Sequence, residues 1–192
     1  MRVISVDPGG AYGIAICEDG TVMHSEQATM PAKLTKMTHA WRELSVLVKR
    51  FGVPDLVTVE QPAIKGGGST FDSQAGQWAN IFCWRHAAEL HGWPVQWVNP
   101  ASWRAMMTRA VKATLQPGED AKAVLQLPQA ELTERCVGYP VGNDEASALW
   151  MARWAYENAE QLTPEAIKLH KKRKATANKA KRERKAAKEG AK

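Results

Sequence analysis

Apolar residues come in short runs at the start of the chain. Arg2-Val-Ile-Ser-Val-Asp7 stops at Pro8-Gly9-Gly10, and two further runs, Tyr12–Cys17 and Thr21–Ser25, flank Glu18-Asp19-Gly20. The first reads as a buried strand halted by a turn and the other two as a hairpin, predicting an antiparallel three-stranded meander. The period then changes. Leu34, Met37, Trp41, Leu44, Val48 and Phe51 recur at spacings of three and four, one apolar stripe on a helix of about five turns that Gly52 and Pro54 close. The β-branched run Asp55-Leu-Val-Thr-Val-Glu60 predicts a fourth strand, entered from a helix and therefore added in parallel. After a loop at Lys65-Gly-Gly-Gly-Ser69, residues 71–91 carry one stripe of Phe71, Ala75, Trp78 and Phe82 and another of Ile81, Trp84 and Ala88. A helix with two apolar faces needs two partners, the sheet and a second body such as a sister subunit. Pro94–Val98 predicts a fifth strand, and Asn99-Pro100 opens a short helix. A polar stretch with Lys112, Pro117-Gly118 and Lys122 leads to a helix near 129–136. Asn143, as N-cap, with Asp144 and Glu145 in the first turn, announces a last helix that buries Ala146, Leu149, Trp150 and Trp154. The order βββ-α-β-α-β-α describes an α/β fold, a five-stranded mixed sheet with helices on both faces.

Composition refines this. The 192 residues are 44% hydrophobic, enough for one core. The net charge of +6 is segregated: residues 168–192 hold 12 Lys and Arg against 2 Glu, so the remainder is mildly acidic. The chain divides accordingly into a domain over 1–160 and a basic tail over 161–192. That tail has helix formers but no apolar stripe, and its repelling charges predict a disordered or frayed segment suited to polyanions. Cys17, Cys83 and Cys136 are widely spaced, with no CxxC or Cys/His pattern for zinc. Neither a secretion signal nor a membrane-length apolar run is visible, which predicts a soluble cytoplasmic protein. The glycines of the 66–68 run match no nucleotide-binding register, so no nucleotide cofactor is expected.

Three acids are placed to do chemistry. Asp7 ends the first strand, Glu60 ends the fourth, and Asp144 opens the last helix. Each has an ordinary structural use, as turn former, surface acid or helix-start residue. Together, at the ends of elements that one sheet edge can gather, they form a carboxylate cluster that is costly without a divalent cation. Trp41, Trp78, Trp150 and Trp154 lie on apolar stripes and are expected in the core.

The motifs Asp7-Pro-Gly with Gly13, Val59-Glu60-Gln61, Ser73-Gln-Ala-Gly76-Gln77, Asn99-Pro100 with Trp103-Arg104, and Asn143-Asp-Glu-Ala-Ser-Ala-Leu149 together carry a resemblance. Over about residues 1–157 the chain resembles the RuvC family of Holliday junction resolvases, including its shorter phage-type relatives, within the ribonuclease-H-like superfamily. The resemblance implies a metal-dependent endonuclease on branched DNA, working as a homodimer with two Mg²⁺ or Mn²⁺ ions per site, in a bacterial cell or a phage-infected host. Asp7, Glu60 and Asp144 would be catalytic and metal-holding. The family ends in Asp-x-x-Asp-Ala, whereas here Ser147 takes the second acid's place. Glu145 or Ser147 therefore stands as a further ligand. DNA contacts are expected from Gly9, Gly10, Lys65, Arg104, Lys112 and Lys122, and from Lys171, Lys172, Arg173 and Lys174 of the tail. Because Ser147 is neutral, a junction-binding protein without cleavage is the alternative from another class. A ribonuclease-H-like nuclease with an RNA or flap substrate is the alternative among enzymes.

Overall fold

The computed structural model describes residues 1–9, 11–31, 34–61 and 71–159, with the side chains of 71–74 excepted. Expectations for Gly10, Lys65 and the basic tail lie outside the described residues. A compact unit spans Met1–Glu157.

Its strands are β1 (Arg2–Asp7), β2 (Ala11–Glu18), β3 (Thr21–Thr29), β4 (Leu56–Glu60) and β5 (Val95–Val98). They form one sheet in the order β3-β2-β1-β4-β5. β1, β2 and β3 pair antiparallel, joined between β2 and β3 by Asp19 and Gly20 at positive φ, as a two-residue hairpin of this twist requires. β4 and β5 join β1 in parallel.

Helices cover both faces because the strands alternate. Ile4, Val6, Ile14, Ile16, Val57 and Val59 pack against α1 (Lys36–Phe51) and α2 (Phe71–Leu90). Ala15, Cys17 and Val98 pack on the other side with α3 (Pro100–Ala113), α5 (Gln129–Val137) and α6 (Asn143–Glu157). A one-turn helix, α4 (Ala121–Val124), precedes α5.

Three expectations change. α3 is not short: it runs 14 residues and buries Trp103, Met106, Met107 and Val111. α4 is an addition too brief to show a period. The stripe of α1 is rotated, with Ala40, Leu44 and Leu47 inward, so Trp41 is 46% exposed and stacks on His91 instead of entering the core. Of the two faces of α2, Ile81, Trp84, Ala87 and Ala88 are buried, while Phe82 is 51% exposed, stacked on Trp78 and edge-on to Trp97. Among the described residues no helix is long and apolar enough to cross a membrane.

Candidate active site

The register of β1 and β4 sets the site. Val6 lies beside Val59 in the parallel ladder, so the next step puts Asp7 beside Glu60 at the strand ends, where neighbouring strands run ~4.8 Å apart. Val6 and Val59 belong to the α1/α2 core. By alternation Asp7 and Glu60 face the opposite side, the side of α6. One step back along that face, the buried Ser5 and Thr58 hydroxyls bond each other across the same two strands.

The start of α6 comes down on this edge because Gly13, the antiparallel partner of Asp7, has no side chain. A Cβ there would collide with the Asp144 carbonyl and the Glu145 amide. Gly9 is needed for a different neighbour: a Cβ on it would collide with the Ala11 carbonyl oxygen, while it would only touch the Asp144 carboxylate, 3.5 Å from Oδ2. The Asn80 side-chain amide donates to the Gly9 carbonyl at 3.3 Å, tying the turn to α2. Asp144 is thus seated over the β1–β2 turn, with its amide donating to Gln27 Oε1 at 3.1 Å.

The three carboxylates feel one another. Burial pushes the Asp7 carboxyl up to about 7; the Glu60 charge adds to that rise and Asp144 adds less. The Ser147 hydroxyl, donating to Asp7, and the Arg104 cation oppose it. Burial also raises Glu60, against Arg104 and the Trp103 indole, with Asp144 adding to the rise. Asp144 is raised by burial. Acids held above their usual range by burial and by each other are a site short of positive charge.

Supporting side chains come from α3 and α5. Trp103 is fully buried, and its Nε1–H donates to Glu60 Oε1 at 3.2 Å, the partner a buried indole needs. The guanidinium of Arg104 lies over the Trp103 ring, 4.9 Å from its centre, and is exposed on its outer side. Gln129 Nε2 donates to Ser147 Oγ at 2.7 Å.

Two expectations are corrected. Glu145 does not join the site: its carboxylate accepts from Ser25 Oγ at 2.7 Å and from the Gly142 amide at 3.2 Å. One residue along a helix turns a side chain by ~100°, which carries it away from Asp144 to the β3 side. Asn143 does not cap α6 with its side chain. Its Oδ1 accepts from the Ala130 amide at 3.2 Å, supplying the start of α5, which Pro128 leaves without a side-chain cap. Lys112 and Lys122 are exposed, on α3 and α4, and Lys112 lies about 12 Å along α3 from Arg104 at ~1.5 Å per residue.

The donors are hard oxygens, carboxylates and one hydroxyl, which suit Mg²⁺ or Mn²⁺ rather than zinc or a soft metal. In kind they fit such an ion. Among the described residues no group of three or more His, Cys, Asp or Glu is drawn close enough together to hold an ion.

The fold has solved counterparts. Thermus thermophilus RuvC in complex with a Holliday junction substrate aligns over 84% of this chain and 96% of its own, with TM-score 0.57 and 19% identity. A further structure of Thermus thermophilus RuvC aligns over the same shares, with TM-score 0.55 and 18% identity. The chain has the RuvC fold. The yeast mitochondrial Holliday junction resolvase Ydc2 also aligns, over 86% of this chain and 82% of its own, at TM-score 0.47 and 15% identity. No protein family model matches the chain, and no curated protein does either. The likeness is one of fold. Trp103 and Gln129 escaped the sequence reading as site residues. For Trp103 a signal existed, a tryptophan at the fourth position of a helix that follows a strand; for Gln129 there was none.

Proposed function

We propose that this protein is a metal-dependent endonuclease that resolves four-way DNA junctions. The observation that carries the reading is the convergence of Asp7, Glu60 and Asp144 on one edge of a RuvC-type sheet, each carboxyl raised by burial and two of them by their neighbours. Asp7, Glu60 and Asp144 would hold the ions. Bound there, Mg²⁺ or Mn²⁺ supplies an activated water and stabilises the charge on the leaving oxygen.

The chain's own groups do the rest. Gly9 keeps the turn beside Asp144 free of side chain, so a phosphate can approach the carboxylates. Arg104, exposed beside Glu60, is placed to meet the incoming phosphodiester oxygens and hold the strand. The Trp103 N–H fixes the rotamer of Glu60. Ser147 supplies a hydrogen bond to Asp7 where a fourth acid would supply charge.

Branched DNA is the substrate we favour because the RuvC aligned over most of this chain was captured with a Holliday junction. The exposed Phe82, with the partly buried Trp78 and Trp97 beside it on α2 and β5, supports a homodimer, which lets two strands be cut symmetrically. The tail, with Lys171, Lys172, Arg173 and Lys174, would add sequence-independent affinity that weakens steeply with salt. The work of such an enzyme is cytoplasmic.

The test is incubation of the purified protein with an end-labelled four-way junction in Mg²⁺, Mn²⁺ or EDTA. Paired, symmetric nicks that need metal support the proposal. A stable complex with no nicks in either metal refutes it in favour of a binding protein, and cleavage of RNA–DNA hybrid in preference to the junction refutes the substrate.

A further inference from the structure

Ser147 sits 5% exposed, accepts a hydrogen bond from Gln129 on α5, and stands near enough to Asp7 on β1 for its hydroxyl to oppose that acid's rise. A serine hydroxyl has one proton to give and two lone pairs to offer, so what Gln129 does decides which way that proton points. The orientation of the Gln129 amide is settled by a third group. Its Nε2 also lies 3.3 Å from the backbone carbonyl of Asn143, which can only accept. The end of Gln129 that faces both atoms is therefore the NH₂ end. It donates to Ser147 Oγ, and the one hydroxyl proton is left for Asp7.

We propose that Gln129 is a positioning residue of the candidate active site, acting through Ser147 to hold the Asp7 carboxylate in place for a divalent cation. The inference rests on the nuclease reading and deepens it. The family pattern would put an acid at Ser147, fixing Asp7's neighbourhood by shared metal. Here a neutral hydroxyl stands there, and Glu145 is engaged with Ser25 and Gly142, so it does not compensate. A hydroxyl free to rotate would hold Asp7 in only part of its orientations. Gln129 removes that freedom by occupying the acceptor side. The Gln129–Ser147 pair thus restores by hydrogen bonding some of the order that a fourth acid would provide by charge, and it does so without adding a further repelling carboxylate. Ser147 touches the acid itself, whereas Gln129 acts one bond further out.

Calorimetric titration of Mn²⁺ into the full-length protein tests this on four chains: wild type, Gln129→Met, Ser147→Ala and the double variant. Methionine keeps the length and bulk of glutamine without the donor; Gln129→Leu serves if the Met protein is poorly folded by its thermal melt. Each single substitution is expected to weaken Mn²⁺ binding about tenfold. The double variant is expected to lose the same tenfold and no more, because Gln129 works through Ser147. A packing role for Gln129 at the α5–α6 junction would lower the melting temperature without that coupling. Binding by Gln129→Met within about twofold of wild type overturns the inference, as do losses that multiply in the double variant. Wild-type protein that binds no Mn²⁺ overturns the nuclease reading and the inference together; wild type that binds while Gln129→Met binds equally overturns the inference alone.

Discussion

Asp7 is held under tension. Its folded value, about 7, lies above the ordinary 3.8, from burial first and the Glu60 charge second. Between these two values the folded, metal-free chain holds a proton that the unfolded chain has released. Stability therefore falls as pH rises through that window and levels off above it. Asp7→Asn removes the tension. In chelator at about pH 8, urea denaturation is expected to show the variant more stable than wild type by about 1–3 kcal/mol, with the gap closing towards about pH 4. Equal stabilities at the higher pH would mean that Asp7 is not crowded by Glu60. The same variant is expected to lose junction cleavage by a factor of about a hundred or more, so stability and activity move in opposite directions at one residue.

Between elements, the decisive contact is α6 on β2. Gly13 lets the first turn of the helix rest against the strand backbone, which brings Asp144 to the Asp7 end of the sheet. A methyl group there meets backbone on the α6 side, which yields little. Gly13→Ala is expected to cost about 3 kcal/mol in denaturant unfolding and to abolish metal binding even where the chain still folds. A neutral effect would place α6 elsewhere. This contact shows what the sequence could and could not disclose. Strand positions were legible because alternation and β-branched runs mark them locally: Asp7 and Glu60 could be put at strand ends from their own neighbours. Trp41 misled because a stripe at spacings of three and four fixes a helix face only to within about one residue, and the face that docks is Ala40, Leu44 and Leu47. Asn143 and Glu145 misled for another reason. Both are ordinary helix-start residues, and their partners, Ala130 and Ser25, come from distant elements that no local pattern announces. The Gln129–Ser147 bond spans 18 residues and is equally silent in sequence.

For the whole molecule, both faces of the sheet are covered by helices, yet α2 still presents rings outward. Phe82 is 51% exposed and stacked against Trp78, with Trp97 edge-on, and the Arg85 guanidinium lies 5.1 Å from the Trp97 ring centre. The proposed dimer would bury this cluster. Phe82→Glu is expected to convert the protein to a monomer in sedimentation equilibrium, leaving its circular dichroism unchanged and its paired nicking of junctions lost. A wild-type monomer at micromolar concentration would remove the cluster from the account. The central claim is that acids from β1, β4 and α6 share metal. The most direct measurement is a crystal structure of the protein soaked in Mn²⁺, read by anomalous scattering. The account predicts manganese peaks bounded by Asp7, Glu60 and Asp144, lost in Asp7→Asn. Manganese absent from that edge at millimolar soak, or bound with those three carboxylates uninvolved, would contradict it.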